Sequence, residues 1–153
     1  MNVRSLLDKL DCAASYLQSP LLLIIRLYWG WQFFVAGRGH LMNLEKTTTF
    51  FAGLHIPMPK LNAIVAGSVE CAGGGLLALG LFTRPAAVPL IFTMIIAYVT
   101  ADSEALHAIF SDTDKFVTAT PFLFLFAVLI VLAFGPGKIS LDALFFRKSA
   151  SAK

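Results

Sequence analysis

Charged residues are scarce in this chain. Asp, Glu, Lys and Arg make up 14% of its 153 residues, where a soluble domain carries about a quarter. Hydrophobic residues make up 58% and the mean hydropathy is +0.78. That composition excludes an ordinary soluble domain and places the chain in a bilayer. Cysteine is nearly absent too: Cys12 and Cys71 stand far apart and no CxxC occurs. The simplest thiol–disulfide exchange is thereby excluded, as is a cysteine-built zinc or iron–sulfur centre. The net charge of +3 comes without any run of Lys or Arg interleaved with aromatics. No nucleic-acid partner is expected, and the basic residues read as membrane topology. Histidine is missing from the apolar blocks, which leaves nothing to hold a haem between helices.

What is present is four apolar blocks, each near the roughly 20 residues that a helix needs to cross about 30 Å of hydrocarbon. They run over about 16–37, 62–82, 85–101 and 117–135, followed by a tail over 136–153. The pattern predicts an all-α integral membrane four-helix bundle forming a single domain over 1–153. Pro85 suits a helix start, and Gly135-Pro136-Gly137 stops the last block. Val35-Ala36-Gly37 loosely resembles a signal cleavage site, but Arg26 within the apolar stretch argues against removal of the first block. If the chain crosses four times, Arg4, Lys9, Arg84, Lys138, Arg147, Lys148 and Lys153 share one side, against Arg38, Lys46, Lys60 and Lys115 on the other. Both termini are then cytoplasmic, and the acidic loop Asp102 to Lys115 faces outward. Leu44, Phe50, Phe51 and Leu54 in "NLEKTTTFFAGLHIPMP" predict a short interfacial helix between the first two spans.

Two ionisable residues stand inside apolar blocks, Arg26 in the first and Glu70 in the second. Each costs about 2.5–3.5 kcal/mol at a helix centre, while a Leu, Ile, Phe or Val returns only about 0.3–0.6 kcal/mol. Counted from the cytoplasmic side at the helical rise, Glu70 lies about 18 Å deep and Arg26 about 15 Å if its helix begins near Tyr16. The expectation is a buried bidentate Arg26–Glu70 pair between the first two helices. Ala66, Gly67, Gly73 and Gly74 around Glu70, and Gly30 one turn past Arg26, would let the helices approach. A helix-registering salt bridge and a polar cavity handling a proton or a head group are both consistent with such a pair. Tyr28, Trp29 and Gln32, with Trp31, lie near Arg26 and are candidates to line a ring-shaped pocket, although a helix interface or lipid belt explains them equally.

His40, His55 and His107 fall on the outer side with Asp102, Glu104, Asp112 and Asp114, but share no ligand-like spacing. They read as solvated loop residues, and no metal is expected. Arg84 suits the carboxyl end of the second helix at the interface, with substrate head-group contact as the alternative. Ser140 in "GPGKISLD" is placed to cap a short helix through Phe146.

Over roughly residues 20–145 the chain resembles the DoxX family of small bacterial inner-membrane proteins. The matching elements are Arg26, the "HIPMP" turn with Pro57 and Pro59, "VECAGGGLLALGLFTRPAA" with Glu70, Gly73, Gly74 and Arg84, and "GPGKISLD". It departs from the family where a lysine usually follows the first helix, and His40 stands instead. The resemblance implies a multi-pass protein of the bacterial inner membrane, surrounded by lipid. It also implies an association with oxidoreductase chemistry, because relatives are membrane subunits of thiosulfate:quinone oxidoreductases or join redox complexes that detoxify oxidants. On that reading the protein is a membrane component of a quinone-linked system, with a quinone as the implied cofactor. Soluble redox enzymes at the cytoplasmic face are the implied partners, and a homo-oligomer is compatible. Arg26, Glu70 and Arg84 are its candidate site residues. A non-catalytic scaffold that recruits redox enzymes, and a small-molecule transporter, are the alternatives.

Overall fold

The computed structural model describes residues 3–146, with side chains from residue 7 onward; Arg147, Lys148 and Lys153 of the expected basic tail lie outside the described residues. The chain is all-helical. Its elements are α1 (Val3–Met42), α2 (Leu44–Gly53), α3 (Pro59–Leu79), α4 (Thr83–Thr100), α5 (Ser103–His107), α6 (Thr113–Thr118), α7 (Thr120–Phe134) and α8 (Leu141–Phe146).

α1 departs most from expectation, running 40 residues instead of beginning near 16 and ending at 37. Its first turns hold Leu6, Leu7, Leu10, Ala13 and Ala14, which favour helix, and contain no glycine to end it. Pro20 lies inside it, removing one amide donor from the ladder without stopping the helix. At the other end Gly37 continues the helix because it is clamped against α3. The other spans shift by a few residues. α3 begins with Pro59 in its first turn and closes at Gly80, whose φ of 68° lets Leu81 donate back to the Leu76 carbonyl at 3.0 Å. The fourth apolar block divides, its first residues joining α6 and the remainder forming α7. The short helix expected between the first two spans is α2.

α1 and α3 pack antiparallel through glycine. A β-carbon on Gly30 would lie 2.8 Å from the Gly74 carbonyl oxygen, and one on Gly37 would lie 2.5 Å from that of Gly67. Both helices thus present bare backbone at sites seven residues apart, which sets their register at two points along one seam. α4 and α7 close the other side around Phe33, Leu77, Ala87, Leu90, Met94, Val128 and Val131. The outer surface carries Ile24, Trp31, Phe92 and Phe126, all exposed. An apolar exterior around an apolar core is what lipid permits and water does not. α1, α3 and α4 are long and apolar enough to cross a membrane, whereas α7 is a shorter apolar helix of 15 residues.

Candidate functional site

Glu70 occupies the middle of α3, eleven residues from Pro59 and nine from Leu79, so about 14–16 Å from either end at the helical rise. Only 4% of it is exposed. Side chains on a helix lean toward its amino terminus, so the Glu70 carboxylate is carried one turn toward the start of α3. Because Gly37 of α1 packs against Gly67 and Glu70, the residue met there is one turn past Gly37. That residue is His40. Its Nδ1 stands 3.2 Å from Oε2 of Glu70. The approach is that of an ion pair and not of a well-aligned hydrogen bond, and neither atom has another polar partner among the described residues.

The two side chains border a cavity of about 200 Å³ between α2, α3 and α4. Phe50, Phe51 and Leu54 form its α2 wall and Phe92 and Ile96 its α4 wall, while Asn62, Thr93 and Thr100 add polar groups. The ring of Phe51 meets that of His40 edge-on at 6.5 Å between centroids. α2 is held over the cavity by Thr47, whose hydroxyl donates to the His40 carbonyl at 3.2 Å. A cavity of about 150 Å³ accepts a benzene ring, so this one has room for a single substituted ring. Two buried polar atoms with no partner but each other border an aromatic-walled space, an arrangement that can orient a polar group on a flat ligand and hold a proton beside it.

The expected Arg26–Glu70 pair is not formed. Placing the start of α1 near Tyr16 set Arg26 too deep, and the glycine seam instead puts it opposite Gly80, about ten residues and 15 Å from Glu70. Arg26 is 1% exposed, and its Nη2 donates to the Ile139 carbonyl at 2.5 Å. It clamps the segment after α7 against the end of α3. Asp142 completes that strap by accepting from the amides of Phe82 at 2.7 Å and Thr83 at 2.9 Å, at the start of α4. Ser140 caps α8 as expected, accepting from the Ala143 amide at 3.1 Å.

The remaining candidates also part company with Glu70. Tyr28 is exposed and accepts from Gln32 at 3.3 Å, and Trp29 packs edge-on against Tyr28 and against Phe124 of α7. Trp29 thus joins the α1–α7 interface, while Tyr28 and Gln32 contact each other along α1. Arg84 does not cap α3; its Nε donates to the Leu132 carbonyl at 3.2 Å, at the carboxyl end of α7. The sequence set His40 aside as a solvated outer-side residue, since the three histidines share no ligand-like spacing and the first block was ended at Gly37. The matching seven-residue spacing of Gly30–Gly37 and Gly67–Gly74 was the signal that could have found it.

Residues 21–103, which include both His40 and Glu70, match the family model described as DoxX. The chain belongs to the DoxX family. It is 36% identical over 128 residues to "Inner membrane protein YphA" of Escherichia coli (strain K12), covering 80% of this chain and 88% of that protein. It is 35% identical over 83 residues to "Putative oxidoreductase CatD" of Bacillus subtilis (strain 168), covering 54% of this chain and 60% of that one. No solved structure matches it. This DoxX-family chain is therefore a multi-pass inner-membrane protein in contact with lipid, and its long apolar helices agree with that placement.

Proposed function

We propose that this protein is the membrane component of a quinone-linked oxidoreductase system, and that the His40–Glu70 cavity holds the quinone ring. The observation that carries the reading is a buried carboxylate in the middle of α3 whose nearest polar neighbour is an imidazole, both bordering a ring-sized aromatic cavity. The name of CatD supports an oxidoreductase setting. Phe50, Phe51 and Phe92 would flank the ring. With Nδ1 turned to Glu70, His40 would donate to a carbonyl oxygen through its other ring nitrogen, while the Glu70 carboxylate balances the imidazolium. A bound quinone supplies the capacity to accept two electrons and two protons. Those electrons would come from a soluble redox enzyme.

The chain is read as crossing four times, with α7 as the short fourth span. By the topology expected from the sequence, the side of both termini has seven basic residues and the cavity side four, so the positive-inside rule points the cavity outward. A redox enzyme at the cytoplasmic face would then communicate with it through quinone diffusing in the bilayer. Protein purified into lipid nanodiscs tests this by titration with a short-chain quinone analogue. Binding should saturate at one equivalent and fall at least tenfold in Glu70→Gln and in His40→Ala. Equal binding by all three proteins would remove the site.

A further inference from the structure

A second cavity, of about 620 Å³, lies at the opposite end of the α1–α3 seam, beneath the strap. Its walls include Leu23, Leu79 and Leu144, and its polar groups include Arg26 and Lys138. The hydrogen-bonding of this end is incomplete. Arg26 uses Nη2 on Ile139, but its Nε and Nη1 are buried without an acceptor. Asp142, the acid whose charge acts on Arg26, has committed one oxygen to each of two backbone amides. Ser140 is likewise engaged, donating to Gly137 and accepting from Ala143. Lys138 is exposed and has no ion-pair partner among the described residues. Two cations without a dedicated anion therefore border an apolar crevice at the level where α3, a helix of membrane-spanning length, ends.

We propose that this crevice binds an anionic phospholipid, its phosphodiester set between Arg26 and Lys138 and an acyl chain along Leu23, Leu79 and Leu144. The apolar walls favour a lipid over a free anion: a soluble phosphate would satisfy the cations and leave the walls without a partner. Small shifts of the strap would open the buried Arg26 donors to the phosphate, since the strap is joined to α1 through few bonds, the Arg26–Ile139 contact and the Lys138 amide on the Ser19 hydroxyl at 3.1 Å.

Native mass spectrometry and thermal unfolding of the full chain, delipidated in neutral detergent, test the proposal with phosphatidylglycerol, phosphatidylcholine and inorganic phosphate as separate additions. Phosphatidylglycerol should be retained and should raise the unfolding temperature, phosphatidylcholine and inorganic phosphate should do neither, and Lys138→Glu should reduce phosphatidylglycerol retention at least fivefold. Lys138 lies outside the quinone cavity, so Lys138→Glu should leave quinone-analogue binding unchanged. Equal retention of the two lipids, equal protection by inorganic phosphate, or full retention by Lys138→Glu would each overturn the proposal. Because Arg26→Ala risks unfolding the strap, Arg26→Lys is the companion variant, with intermediate retention expected and unchanged retention counting against the Arg26 contact.

Discussion

Gly37 and Gly39 stand two residues apart on α1 and should respond oppositely to the same substitution. In Gly39→Ala the new methyl meets nothing within 4 Å, so the change should be neutral or stabilise by up to about 1 kcal/mol through helix propensity. In Gly37→Ala it would lie 2.5 Å from the Gly67 carbonyl oxygen and 2.8 Å from the Glu70 β-carbon, and closer still to the Cys71 amide. Two of these neighbours are backbone, which cannot swing aside, so α1 and α3 must part by roughly 1 Å to restore ordinary contact. A gap of that size forfeits about a quarter to a half of the dispersion attraction across the seam, and overpacking of this kind typically destabilises by about 1–3 kcal/mol. The same movement draws His40 away from Glu70, so quinone-analogue binding should weaken as well. Unfolding in SDS mixed micelles gives the stability difference, with Gly39→Ala as the control on the same helix. If Gly37→Ala proves as stable as Gly39→Ala, the glycine register is wrong, and with it the placement of His40.

Three further outcomes follow from the same geometry. In a double-mutant cycle, His40→Ala and Glu70→Gln should couple by about 1–2 kcal/mol in SDS unfolding, within the range for groups in contact; the half-exposed imidazole keeps the value below that of a fully buried pair. Additivity within about 0.5 kcal/mol would show that the two do not interact. Gly80→Ala should destabilise by about 2–4 kcal/mol, since the position has a φ of 68° and a β-carbon there would collide with Nη1 of Arg26; a loss below about 0.5 kcal/mol would place Arg26 elsewhere. Asp142→Ala should destabilise by about 1–3 kcal/mol by freeing two amides at the start of α4, and amide hydrogen exchange at Phe82 and Thr83 should rise with it; unchanged protection there would contradict the strap.

The membrane character, the approximate spans and the two unusual charges were legible because scarcity of charge and long apolar runs act through composition, which needs no tertiary knowledge. Ser140 was legible because a cap is local. The pairing of Glu70 failed because depth was counted from an assumed start for α1, and "VRSLLDKLDCAAS" carries no stop signal even though it is too polar to count as part of a span. Set against Gly80, Arg26 lies about two residues in from Phe82 and not the ten counted from Tyr16, and that one error brought it level with Glu70. Register here is set by backbone contact at Gly30, Gly37, Gly67 and Gly74, and a glycine's part in a seam shows only once both helices are laid together. The aromatic wall from Phe50 and Phe51 was read as interfacial because the turn that folds α2 over α3 depends on left-handed backbone at His55 and Met58 (φ 57° and 46°), conformations that non-glycine residues rarely signal in sequence.

The account turns on where a quinone ring sits, and photolabelling measures that directly. A photoreactive quinone analogue irradiated with the protein in nanodiscs, followed by peptide mass spectrometry, should mark residues 50–54 of α2 and 92–97 of α4, and the label should fall away in Glu70→Gln. Label concentrated on residues 26–32 of α1, around Arg26, Tyr28, Trp29 and Gln32, with the α2 and α4 segments unmarked, would contradict it.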